Sequence, residues 1–152
     1  MDKPEPKKYL KNITPYKGGV SNIEGIDNIY KLSSNENSLG PSEFALKKYQ
    51  EESNNLSLYP DSGNRELIDS ISKNYSLERN RIICGCGSDE LLHLLARTYL
   101  NEDDEGLISE NAFAVYPLAI LNSGANVVRA KENALQPNID DLISNINEKT
   151  KI

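Results

Sequence analysis

The feature that most constrains the fold is an alternation, beginning at Arg81, of short apolar runs with longer amphipathic segments. The apolar runs, which predict strands, cover residues 81–84, 105–109 and 125–130. The amphipathic segments, which predict helices, cover residues 88–100, 113–122 and 138–146. Short strands joined by single helices are typical of βαβ units. The sequence therefore predicts an α/β fold with a mainly parallel sheet.

The chain before Arg81 is organised differently. Its first 33 residues are polar and show no sustained hydrophobic period until residues 29–32, so we interpret residues 1–33 as an N-terminal arm. A helix is predicted behind Pro41, with Ser42 able to cap it. A second helix is predicted where apolar residues recur at helical spacing from Leu67 to Tyr75.

Composition excludes several classes of function. The 17 Lys and Arg residues face 23 Asp and Glu residues, giving a net charge of −6, whereas nucleic-acid binding favours a basic face. No run of about 18 apolar residues is present, and the N-terminus lacks the apolar stretch of a secretory signal. We therefore expect a cytoplasmic protein that contacts neither nucleic acid nor membrane. No metal site is expected either, because His93, Cys84 and Cys86 are one ligand short of a structural zinc site.

A glycine turn leading into a Leu-rich helix is the strongest local signal for chemistry. The turn runs from Gly85 to Gly87, and the helix begins at Ser88. The first N–H groups of a helix lack intrahelical partners, so such a start can hold an anion. Asp89 and Glu90 carry the wrong charge for that role, unless their carboxylates cap the turn while the N–H groups face the ligand. A tight strand-to-helix turn with no ligand is the competing interpretation.

Phe113 follows the strand predicted at residues 105–109. Ligands of open α/β sheets collect at the carboxyl ends of strands, and an aromatic ring there suits a flat phosphorylated cofactor. The alternative interpretation places Phe113 and Tyr116 on one face of a core helix, and periodicity does not separate the two.

The order of these motifs resembles that of the pyridoxal-phosphate aminotransferases of fold type I, and among them the histidinol-phosphate aminotransferases. The matching segments are Thr-Pro-Tyr at 14–16, Asn-Glu-Asn at 35–37 with Gly-Pro at 40–41, Tyr-Pro-Asp at 59–61, Gly-Ser-Asp-Glu at 87–90, and Phe-Ala-Val-Tyr at 113–116. Two departures are Ser38, where the family has Pro, and Asn111-Ala112, where it has Pro-Thr. The resemblance runs from about Leu10 to the end of the chain.

The resemblance implies a role for six residues. Ser88 and Asp89 would contact the phosphate of pyridoxal 5'-phosphate, and Phe113 would stack on its ring. Tyr59 would reach the cofactor of the neighbouring subunit, which implies a homodimer. Tyr16 and Asn37 would lie on the substrate side.

The resemblance also implies that catalytic residues lie outside this chain. The family's Schiff-base Lys, its Asp beside the pyridine nitrogen and its substrate-binding Arg residues all follow the position of residue 152. Residues 148–152 are typical of a turn and the start of another strand, so we expect an N-terminal fragment that is inactive alone. Residues 34–152 would then be part of the cofactor-binding large domain.

The expected activity of the complete protein is transamination of histidinol phosphate with 2-oxoglutarate. The alternatives are a threonine-phosphate decarboxylase, an aromatic or broad-specificity aminotransferase, and a non-catalytic phosphate-binding dimerisation module.

Overall fold

The structure is a computed structural model that describes residues 3–27, 29–32 and 34–152 and leaves the side chain of Asn12 undescribed. Met1, Asp2, Asn28 and Ser33, which belong to the predicted arm, lie outside the described residues. The chain divides into two compact units. The first combines Met1–Tyr16 with Ile83–Ile152, and the second is Lys17–Ile82.

A parallel sheet forms the centre of the first unit. Strand β1 (Glu105–Ser109) pairs with β2 (Asn126–Ala130) in a register that runs from Glu105 opposite Asn126 to Ser109 opposite Ala130. Residues 149–152 run parallel to β1 as well, since the Leu107 N–H donates to the Ile152 carbonyl at 2.8 Å. The α/β class, the parallel pairing and the strand-like end of the chain are thus confirmed.

Three helices accompany this sheet, namely α3 (Ser88–Tyr99), α4 (Val115–Ser123) and α5 (Ile139–Ser144). Each lies within its predicted range to one residue. Helix α4 packs against both strands and against α3, while α5 packs against β1. The buried side chains of this core are small or aliphatic: Ala96, Leu100, Ile108, Ala119, Ile120 and Ala125.

The strand predicted at residues 81–84 is wrong. Residues Arg79–Arg81 form a 3-10 turn, and the backbone that follows is extended at Ile82, with φ −116° and ψ 126°. A strand requires a neighbour that completes its hydrogen-bond ladder. No segment among the described residues pairs with residues 82–85, so this apolar run is extended without being part of a sheet.

A short hairpin follows β2 and was not predicted. Its strands are β3 (Glu132–Asn133) and β4 (Gln136–Pro137), joined by Ala134 and Leu135. Both linking residues have positive φ, 49° and 64°, although neither is Gly, Asn or Asp. The usual turn signal is therefore missing from the sequence.

The N-terminal residues of the first unit contact helix α4. A 3-10 turn over Lys8–Asn12 contacts α4, and Tyr9 is half-buried beside Gly124. None of the described residues of 1–33 is buried, so the interpretation of this segment as an arm stays a prediction. The boundary between arm and large domain at residue 33 stays a prediction.

The second unit contains two helices, α1 (Glu43–Glu52) and α2 (Arg65–Tyr75). The Ser42 hydroxyl accepts a hydrogen bond from the Ala45 N–H at 3.2 Å, which confirms the predicted cap of α1. A 3-10 turn at Ser53–Asn55 follows α1, and the one at Arg79–Arg81 follows α2. In the part of the chain that the structure describes, no helix is long and apolar enough to cross a membrane.

Candidate functional site

Helix α3 begins with backbone donors that no described protein group uses. Gly87 precedes the helix with a φ of 95°, a left-handed value that favours glycine. The first hydrogen bond of the helix joins the Leu91 N–H to the Gly87 carbonyl at 3.5 Å. The N–H groups of Ser88, Asp89 and Glu90 are left over, as expected for a helix start. With the positive end of the helix dipole, they form a potential anion site.

The acidic residues of the first turn do not occupy these donors. The Glu90 carboxylate accepts a hydrogen bond from the Cys86 N–H at 2.5 Å, so it closes the turn that precedes the helix. For Glu90 this meets the condition that an anion site at this helix start would require, namely a carboxylate directed to the preceding turn. Asp89 is exposed.

Phe113 lies in the loop between β1 and α4, before the helix begins. Its side chain is 50% exposed, and its ring meets the Tyr116 ring edge-on, with centroids 6.1 Å apart and planes at 88°. Neither ring belongs to the buried core. The structure thus argues against the interpretation of Phe113 as a core residue.

Two cavities are lined by residues of the loop that carries Phe113. A hollow of ≈ 410 Å³ is lined by Tyr16, by the neighbours of Phe113, which are Ala112 and Ala114, and by Arg129. An apolar cleft of ≈ 320 Å³ is lined by Leu92 of α3 together with Ser109 and Ala112. The structure therefore places Tyr16, which is predicted to lie on the substrate side, beside the loop that carries Phe113.

The same loop is held by residues that the sequence analysis did not single out. The Glu132 carboxylate accepts hydrogen bonds from the Ser109 hydroxyl at 2.5 Å, from the Asn111 N–H at 3.1 Å and from the Asn111 side-chain amide at 2.9 Å. The hydrogen bonds from Ser109 and then Asn111 lower the pKa of Glu132 below its ordinary value. Arg129 donates to the Glu110 carbonyl at 2.9 Å. These contacts join residues about twenty positions apart in the sequence, so no local sequence pattern predicts them.

Asn37 and Tyr59, the other two predicted site residues, belong to the second unit. Asn37 is engaged in its own turn: its side-chain oxygen accepts from the Leu39 N–H at 3.1 Å, and its amide nitrogen donates to the Gly40 carbonyl at 2.9 Å. Tyr59 is 94% exposed. It lies two residues before Asp61, whose carboxylate accepts from the N–H groups of Gly63 and Arg65 at the start of α2.

The residues considered for a metal site do not form one. His93 is half-buried in α3, Cys84 is half-buried and Cys86 is exposed, with neither thiol in a disulfide. Among the described residues, no group of three or more His, Cys, Asp and Glu side chains could hold a metal ion.

The parallel strands β1 and β2, with helices α3, α4 and α5 packed beside them, define an α/β protein. The aminotransferase class I and II family matches residues 27–152. The chain belongs to that family.

Two of its relatives are histidinol-phosphate aminotransferases. The enzyme of Rhodopseudomonas palustris (strain BisB5) is 42% identical over 153 residues, and that of Paramagnetospirillum magneticum is 42% identical over 152 residues. Both alignments cover 100% of this chain and 42% of the relative. The chain thus spans less than half the length of the curated relatives that it matches.

Solved structures share the fold. Histidinol-phosphate aminotransferase from Sinorhizobium meliloti in complex with pyridoxal-5'-phosphate has a TM-score of 0.73 at 17% identity, covering 76% of this chain and 32% of that one. The Clostridium acetobutylicum histidinol-phosphate aminotransferase has a TM-score of 0.66 at 30% identity, with coverages of 75% and 33%. Aspartate aminotransferase of Thermus thermophilus (a single mutant) has a TM-score of 0.77 at 13% identity, with coverages of 97% and 43%.

Proposed function

We propose that the protein carrying this chain is a pyridoxal-phosphate-dependent aminotransferase of histidine biosynthesis. It converts histidinol phosphate and 2-oxoglutarate to imidazole-acetol phosphate and glutamate. The structural observation that carries the proposal is the open N-terminus of α3, where three N–H groups follow Gly87 and the Glu90 carboxylate is engaged elsewhere. The 42% identity to histidinol-phosphate aminotransferases along the whole chain supports the choice of substrate.

The residues of the first unit fit the cofactor. The N–H groups of Ser88 and Asp89 would hold its phosphate, because a helix start combines free donors with a favourable dipole. The half-exposed ring of Phe113 would lie against the cofactor ring. When bound, pyridoxal phosphate supplies the electron-withdrawing ring needed for amino-group transfer. The chain's own part in that chemistry is to bind and orient the ring.

Substrate binding would involve Tyr16 and Asn37. The hollow beside Phe113 already contains Tyr16, whose hydroxyl can donate or accept a hydrogen bond there. Asn37 would contact substrate only through a lone pair or amide hydrogen left over from its turn, since both ends of its side chain already have partners.

A homodimer is proposed from the surface of the second unit. Tyr59 is 94% exposed, and several large apolar side chains of the same unit are exposed as well: Leu39, Phe44, Leu56 and Leu58. Exposed apolar surface of this kind marks interaction sites. Tyr59 would extend to the cofactor of the partner subunit, and the dimer would work in the cytoplasm.

The test of this function uses the complete product of the gene that encodes these residues. The purified protein should bind pyridoxal phosphate with a shift of its visible absorbance and should transaminate histidinol phosphate with 2-oxoglutarate. Aromatic amino acids and threonine phosphate serve as competing substrates. Equal or greater activity on either would keep the family and replace the substrate, whereas no cofactor binding would overturn the proposal.

The dimer is tested separately. Light scattering of the complete gene product should give twice the mass of one complete polypeptide, and Tyr59→Phe should weaken cofactor binding without changing that mass. Tyr49→Phe is a matched control, because Tyr49 is also exposed in the second unit. A monomer that binds the cofactor at full affinity would contradict both the dimer and the role of Tyr59.

A further inference from the structure

Three hydrogen bonds converge on one carboxylate at the carboxyl ends of β1 and β2. Ser109 is the last residue of β1, Asn111 lies in the loop that follows, and Glu132 lies two residues beyond the end of β2. One oxygen of Glu132 accepts from the Ser109 hydroxyl and the Asn111 N–H, and the other accepts from the Asn111 side chain. Hydrogen bonds to a charged acceptor are stronger than neutral ones, so this carboxylate is an effective anchor.

Backbone hydrogen bonds hold the loop as well, in addition to the bond from Arg129 to the Glu110 carbonyl. The Glu110 N–H donates to the Ala130 carbonyl at 2.8 Å, which continues the ladder one residue beyond the end of β1. The Ala112 N–H donates to the Ser109 carbonyl at 3.1 Å, and the Tyr116 N–H donates to the Phe113 carbonyl at 3.0 Å. The N–H groups of residues 110–112, which lead to Phe113, therefore all donate to Ser109, Ala130 or Glu132, at or just beyond the ends of the two strands.

We propose that Glu132 is a positioning residue for cofactor binding, which it serves by holding the loop that presents Phe113. The role rests on the proposed function, because Phe113 is the residue expected to face the cofactor ring. Glu132 itself touches neither cofactor nor substrate. By accepting hydrogen bonds from Asn111, Glu132 fixes the backbone that orients the Phe113 ring, and a stacking contact depends on the orientation of that ring.

The decisive variant is Glu132→Ala, measured in the complete gene product. It leaves the Ser109 hydroxyl and both donors of Asn111 without their acceptor. We expect amide hydrogen exchange across residues 109–114 to accelerate and pyridoxal-phosphate affinity to fall by about two- to tenfold, the range of a weakened aromatic contact. The visible absorbance of the bound cofactor should shift as well, which a purely structural role would not produce.

Two further variants should reduce cofactor affinity by smaller amounts than Glu132→Ala. Glu132→Gln keeps an acceptor oxygen for Ser109 and the Asn111 N–H, and Asn111 can turn its side-chain oxygen toward the new amide. It should therefore retain most of the affinity. Ser109→Ala removes only one of the three hydrogen bonds, so its effect should lie between those of the Gln and Ala variants. These two variants also allow the test to proceed if Glu132→Ala does not fold.

Glu110→Ala is the matched control. Glu110 carries the same charge on the same loop, yet its carboxylate makes no hydrogen bond or ion pair within the described residues. Its loss should change neither the exchange rate nor the affinity. Equal losses in Glu110→Ala and Glu132→Ala would overturn the positioning role, because charge alone would then explain them.

The wild-type protein separates this inference from the proposed function. If it binds pyridoxal phosphate and Glu132→Ala binds it equally well, the positioning role is overturned and the function stands. If the wild-type protein binds no pyridoxal phosphate, the proposed function fails, and the positioning role fails with it even where exchange in the loop accelerates.

Discussion

The Asp61 carboxylate and the Arg65 guanidinium form two hydrogen bonds of 3.2 Å each across one turn at the start of α2. Asp61 also accepts from the N–H groups of Gly63 and Arg65, so it caps a helix whose N-cap residue, Asn64, makes no side-chain cap. The charged form of the carboxylate is favoured by Arg65 first and by the two backbone donors next, which lowers the pKa of Asp61 to about 2.

The first prediction concerns the pH dependence of this cap. Because the pKa of Asp61 is lower in the folded protein than its ordinary 3.8, its contribution to stability is complete above about pH 4 and is lost as the pH falls toward 2. Carboxyl chemical shifts in an NMR titration should report a midpoint near 2. Arg65→Gln should raise that midpoint toward the ordinary value, and an unchanged midpoint would contradict the assigned cause.

The second prediction concerns the start of α3. Ser88→Pro deletes one N–H group, while proline is well tolerated at the first position of a helix and Gly87 before it has an extended ψ of 176°. Loss of one hydrogen bond to a charged phosphate should cost about 1.5–3 kcal/mol of cofactor affinity. An absorbance titration measures it.

Ser88→Ala is the control for that experiment, because it keeps the N–H and removes only the hydroxyl. A smaller loss in the Ala variant would assign the contact to the backbone. If Ser88→Pro keeps the wild-type affinity while circular dichroism shows an intact fold, the phosphate lies elsewhere.

The third prediction concerns Phe113. Phe113→Leu keeps an apolar side chain but removes the ring, so cofactor affinity should fall several-fold, in line with about 0.5–1.5 kcal/mol for an aromatic contact. The melting temperature should change little, because the side chain is half exposed and lies outside the buried core. If Phe113→Leu unfolds the protein without changing the cofactor spectrum, Phe113 is a core residue and does not contact the cofactor.

Helices of the first unit could be predicted from sequence because the signals that define them are local. The apolar spacing of Leu91, Leu92 and Leu95 gives α3, and Asn138 accepts a hydrogen bond from the Asp141 N–H, which caps α5. Strands are different, since their formation depends on a partner. Residues 81–84 have strand-like composition yet pair with nothing in the described chain.

The candidate site could be predicted only in part for the same physical reason. Ser88, Phe113 and Tyr16 could be predicted as site residues because each lies within a short recognisable motif. The contact between Glu132 and Asn111 depends on the register of β1 against β2, which no short segment encodes. The resembled motif has a proline at the position of Asn111. A proline there could donate neither of the two hydrogen bonds that Asn111 donates to Glu132, so these bonds explain why this sequence departs from the motif.

The last prediction concerns the packing of α4 on β1. A Cβ atom at Gly106 would lie 2.5 Å from Cδ1 and 2.6 Å from Cγ1 of Ile120, which is 5% exposed. Gly106→Ala should therefore lower the free energy of unfolding by about 1–3 kcal/mol, the usual cost of overpacking a core. Denaturation by urea in the complete gene product measures this loss. Gly18→Ala should be nearly neutral by comparison, since no atom lies within 4 Å of the added methyl group.

A double-mutant cycle identifies Ile120 as the cause. Ile120→Ala alone leaves a cavity and should cost about 2–5 kcal/mol, but it also removes the three atoms nearest to the new methyl group at Gly106, which are Cδ1, Cγ1 and Cγ2 of Ile120. In the double variant Gly106→Ala should then add little or nothing, so that the two changes combine to less than the sum of their separate effects. Strict additivity would show that the cost of Gly106→Ala arises from the strand backbone, and the close approach of α4 to β1 would not be its origin.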